Sequence, residues 1–72
     1  MARTLGQLLA DLAYYWGKLS GPIIPPQSTF AQCQAITGFT SLFDDFCAEY
    51  SVEAGELAAL QAGMSFPEVT YE

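Results

Sequence analysis

Asp45 and Glu49 stand four residues apart in a stretch with helical spacing. Two carboxylates so placed share a helix face and could hold a proton or a cation between them. The competing reading is a solvated acidic face, and the rest of the sequence favours it. The chain has no histidine, so it offers no Ser-His or Cys-His pair and no imidazole base. Lys18, the lone lysine, falls on an amphipathic segment with no catalytic context. Cys33 and Cys47 are the whole thiol inventory, and two isolated cysteines without histidine do not make a zinc site. There is no calcium-loop pattern and no glycine-rich phosphate loop. The residues therefore indicate a non-enzymatic chain, with no catalytic residue, cofactor or metal.

Contact chemistry is better represented. Of the 72 residues, 8 are acidic and 2 are basic, for a net charge of -6. The acids are not spread evenly. Residues 1–36 carry Arg3, Lys18 and Asp11, net +1, whereas residues 37–72 carry Asp44, Asp45, Glu49, Glu53, Glu56, Glu68 and Glu72, net -7. Such a balance cannot grip a phosphate backbone, where affinity comes from Lys and Arg displacing counterions. Two stretches, Gln34–Gly38 and Ala59–Ser65, have the outline of a helix-turn-helix. The segments that follow them present acids and no Arg or Lys to read or hold a duplex. An acidic face instead steers association with a basic protein surface, although net charge also serves plain solubility. Asp44, Asp45 and Glu49 are the candidate acidic contact residues.

The elements that must position these groups read as helices. Thr4 and Gln7 form a capping-box pair, and Leu5, Leu8, Leu9, Leu12, Trp16 and Leu19 follow at the spacing of one helical face. Helix 1 is expected over about residues 4–20, ended by Gly21-Pro22. Residues 21–28 form a proline-rich extended linker, because proline cannot continue a helix and biases its predecessor to extended geometry. Thr29 and Gln32 make a second capping box, opening a helix over 29–37 that Gly38 stops. Ser41 with Asp44 suggests a cap for a helix over 41–50. Ser51 is the expected cap of a helix over 52–62, with Glu53 and Glu56 suiting its N-terminal dipole. The tail, 63–72, is expected to be extended, with a short turn starting at Ser65.

Helix 1 carries two further features. Gly6, Ala10, Ala13 and Gly17 recur at intervals of 4, 3 and 4, a flank of small residues that lets another backbone approach closely. This flank is the candidate self-association surface, unless another segment of the same chain packs there. Tyr14, Tyr15 and Trp16 are three consecutive aromatics covering more than one face, and are candidate partner-binding anchors.

The sequence predicts an all-α fold, a single small three- to four-helix bundle spanning residues 1–72. A chain this short gains only slightly more from burial than it loses in ordering, which favours a homodimer or an obligate complex. No apolar run is long enough to cross a membrane and no signal-peptide pattern opens the chain, so a cytoplasmic location with reduced thiols is expected. The functional expectation is an acidic protein–protein interaction module, a small inhibitor or modulator that occludes a basic or regulatory partner protein. Small acidic chains without catalytic groups are common among phage and mobile-element accessory proteins, an analogy of size and composition only. The alternative is a structural subunit or assembly adaptor of a larger complex.

Overall fold

The computed structural model describes residues 3–71. Its elements are α1 (Leu5–Gly17), α2 (Phe30–Gln34), α3 (Phe39–Glu49) and α4 (Ala54–Gly63). No strand occurs among the described residues, so the fold is all-α. The folded surface is 4428 Å², close to the about 4,400 Å² that surface scaling gives for a compact chain of this mass.

Both threonine capping boxes form. The Gln7 amide donates to Thr4 Oγ1 at 3.2 Å and the Thr4 amide to Gln7 Oε1 at 3.0 Å. The Thr29 and Gln32 pair repeats this at 3.2 and 2.8 Å. Each box satisfies two amides that a helix start leaves without partners.

Helix ends differ from the expected bounds, each for a local reason. Helix 1 stops at Gly17, where Lys18 and Leu19 donate to Tyr15 and Trp16 in a tightened last turn. Helix 2 stops at Gln34, because the amides of Ala35 and Ile36 bond back to Gln32 and Cys33 and turn the chain. Gly38 does not end α2. It takes φ +89°, where a side chain is disfavoured, and caps the start of α3. Ser41 is therefore an exposed residue inside α3 and not its cap. The earlier start brings the buried Phe39 onto the helix face of Phe43 and Phe46.

Ser51 is likewise not the cap of α4. It has φ +50° and closes α3. The Val52 amide donates to the Cys47 carbonyl at 2.9 Å and the Ser51 amide to Ala48 at 3.4 Å. These are the two bonds of a Schellman motif. Helix 4 starts two residues after Val52, with the Glu53 amide donating to Glu56 Oε1 at 3.0 Å.

The core joins Leu8, Leu12 and Trp16 of α1 to Phe39, Phe43 and Phe46 of α3, with Ile24, Cys33, Leu60, Met64 and Phe66. The Trp16 ring lies 5.3 Å from Phe39 and 5.6 Å, edge-on, from Phe66, within the range for favourable aromatic pairs. Trp16 Nε1 donates to the Pro22 carbonyl at 3.2 Å, so its buried polar atom is satisfied.

The tail 64–71 is extended, without the turn expected at Ser65. It is tied to the linker by Gln27 N–H to Phe66 O at 2.7 Å and Phe66 N–H to Ser28 O at 2.9 Å. The Tyr71 hydroxyl donates to the Pro22 carbonyl and accepts from the Ile24 amide. Between these ties the tail crosses Gly17, where an added Cβ would lie 2.9 Å from the Thr70 carbonyl oxygen. That backbone contact leaves no room for a side chain.

Gly17→Ala is accordingly expected to loosen residues 68–71, seen as faster amide exchange there and lower stability. Gly55→Ala, with nothing within 4 Å of its Cβ position, is expected to raise stability by about 0.5–1 kcal/mol in urea unfolding. Equal effects at the two glycines would refute the tail contact.

Candidate interaction surfaces

Arg3 meets three separated parts of the chain just before α1. Its backbone amide and Nε both donate to Glu56 Oε2, at 2.7 and 3.0 Å. Nη2 donates to the Tyr50 carbonyl at 2.7 Å and to Glu56 Oε1 at 3.3 Å, and Nη1 to Asp11 Oδ2 at 3.3 Å. Arg3 therefore fastens the start of α1 to the end of α3 and the first turn of α4. Glu56 is buried at 4% exposure. Bonding to the Arg3 guanidinium, then to the amides of Glu53 and Arg3, holds its carboxyl down at about 2 against an ordinary 4.5. The arrangement is structural, since every polar atom of Glu56 faces a partner within the fold.

Sequence reasoning placed Glu56 among the surface acids and missed this node. The available signal was the Glu53–Glu56 interval, the spacing of a capping box, together with a lone arginine beside the first helix. Nothing in periodicity links residue 3 to residue 56.

With Arg3 engaged, the remaining acids of α3 are left open. Asp44, Asp45 and Glu49 are all exposed. Among the described residues the salt bridges are those of Arg3 to Asp11 and Glu56, so these three acids have no cationic partner. They line the side of α3 opposite Phe39, Phe43 and Phe46. Tyr15 and Tyr50 border them, with ring centroids 5.8 Å apart and edge-on. Burial, then the charges of Asp45 and Glu49, raises the Tyr15 hydroxyl above its ordinary value, which places the acidic side of α3 beside the α1 tyrosine. Glu72, counted in the acidic half, lies outside the described residues.

The three aromatics of α1 separate. Tyr14 is 63% exposed, and the Lys18 ammonium sits 4.8 Å above its ring centre and 3.4 Å from its hydroxyl. Tyr15 is half-buried against Phe46 and Tyr50. Trp16 is fully buried, so it serves the core and has no surface to offer a partner in this fold. A row of three adjacent helical residues spans about 200° of arc, and the face toward α3 takes the largest ring.

The small-residue flank also divides. Gly6 and Ala10 are exposed, while Ala13 and Gly17 are half-buried. Thr70 covers Gly17 in cis. A groove of about 270 Å³ remains between α1 and the tail, lined by Ala13, Tyr14, Gly17, Lys18, Val69 and Thr70 among others.

Both thiols are free. Burial pushes Cys33 up to about 11 and, with the nearby Asp44 charge, also raises Cys47. Neither is in the electropositive setting that makes a reactive thiolate. Among the described residues no helix is long and apolar enough to cross a membrane, and no group of three His, Cys, Asp or Glu side chains is gathered to hold a metal ion.

No protein-family model matches the chain, and neither a curated protein nor a solved structure matches it.

The depressed Glu56 value gives a signed pH dependence. The group's contribution to stability is complete above about 4.5, its ordinary value, and is lost as pH falls through about 2. The melting-temperature gap between the natural chain and Glu56→Gln should stay constant at neutral pH and narrow between those limits. A gap that does not change with pH would contradict the clamp.

Proposed function

We propose that the chain is a non-enzymatic acidic interaction module whose α3 face meets a basic surface on a partner protein. In that role it acts as a small inhibitor or modulator, covering a surface the partner uses elsewhere. One observation carries the reading. Asp44, Asp45 and Glu49 point to solvent on one helix without a cation of their own, although the fold does bring Arg3 onto two other carboxylates. Uncompensated charge of one sign on a rigid element accelerates encounter with the opposite sign and rejects like-charged surfaces. The bordering Tyr15 and Tyr50 supply aromatic contact area at the edge of the charge, a pairing common at protein interfaces. Rigid helix presentation also lowers the ordering cost of association.

The direct test is the triple reversal Asp44→Lys, Asp45→Lys and Glu49→Lys. These side chains are exposed and make no core contact, so the circular-dichroism spectrum should be unchanged. Affinity capture from source-cell extract, read by mass spectrometry, should recover a protein with a basic surface on the natural chain and lose it on the reversed one. Binding should also weaken as salt rises. Capture that survives reversal refutes the reading.

A further inference from the structure

The acidic side of the molecule has an uncharged counterpart. Residues 19–43, 25 in succession, contain no Asp, Glu, Lys or Arg. The fold gathers much of this run onto one surface. The linker lies along the α2–α3 turn, with Pro22 Cδ 3.9 Å from the Cβ position of Gly38. Further on, Pro25, Pro26, Gln27 and Ser28 meet Gln32 and Ile36 around a shallow depression of about 480 Å³. Ile24 turns inward to the core, and Ile23 turns outward at 76% exposure, the most exposed large apolar side chain among the described residues.

We infer that this uncharged face is where two copies of the chain associate. Charge distribution selects the occupant. Two chains of net charge -6 repel, so a stable contact between them must lie where neither presents an acid. The linker and α2 provide that place. A two-fold axis through it keeps the acidic surfaces apart, because α3 leaves this face at Phe39 and runs about 16 Å to Glu49 at 1.5 Å per residue. Depletion of charge is also the compositional mark of an interface centre. A standard interface needs about 800 Å² per partner, under a fifth of the 4428 Å² available. The proline-rich backbone is fixed before binding, which reduces the ordering cost. The contact differs from the α1 flank in location, and it does not depend on the α3 reading, since the acids stay free in the pair.

Sedimentation equilibrium on the intact chain tests this. The natural chain should show a dimer that persists as salt is raised from about 0.1 to 1 M, because screening removes residual repulsion. Ile23→Glu should abolish the dimer and leave the circular-dichroism spectrum unchanged. Gln32→Glu is a second probe, since glutamate serves equally at the third position of a capping box while placing a charge in the depression. It should weaken the dimer at least tenfold. Ala10→Trp, on the open part of the α1 flank, should leave the dimer intact. A chain that is monomeric at about 1 mM, the weak limit of specific association, overturns the inference. So does a dimer broken by Ala10→Trp and untouched by Ile23→Glu and Gln32→Glu.

Discussion

Arg3 carries one of the two basic side chains, and its guanidinium lies where the start of α1, the end of α3 and the first turn of α4 converge. A carboxylate buried to 4% exposure is tolerable only when it is paired and hydrogen-bonded. Glu56 meets that condition through Arg3 and the Glu53 amide. Removing either side chain strands a charge or leaves amides and a carbonyl without partners. The clamp also decides which acids remain outside. Asp11 and Glu56 are neutralised in place, whereas Asp44, Asp45 and Glu49 stay open.

At the other end the closure is apolar. Phe66 inserts against Trp16 and Phe39, and the tail behind it is held by backbone bonds to the linker and by the Tyr71 hydroxyl. Tail and linker therefore brace each other, though neither has regular structure. This explains how extended segments remain ordered in so small a chain, since a buried aromatic and paired amides offset the ordering cost. The two closures leave an acidic side along α3 and an uncharged side along the linker and α2.

The helices and their buried faces were legible because they rest on local rules. Thr4 with Gln7 and Thr29 with Gln32 satisfy amides within one turn, and the Leu8, Leu12 and Trp16 spacing fixes which side of α1 is covered. Exposure of Asp44, Asp45 and Glu49 followed from the same periodicity. The misread positions, Gly38, Ser41 and Ser51, sit where tertiary demand overrules a local cap signal. Phe39 must enter the core, so α3 begins earlier, and Ser51 adopts a left-handed conformation more usual for glycine to reverse the chain. Contacts between distant residues, Arg3 with Glu56 and Thr70 with Gly17, leave no periodic trace. They changed the meaning of the charge count and of the small-residue flank.

The central claim is that a single arginine closes the fold and, in doing so, leaves the α3 acids unpaired. A double-mutant cycle with Arg3→Gln and Glu56→Gln, measured by urea unfolding at neutral pH, tests the first half directly. Each single change should destabilise the chain, and the double variant should lose much less than the sum, because each side chain acts mainly through the other. Additive losses would contradict the claim and would make the acidic side of α3 independent of Arg3.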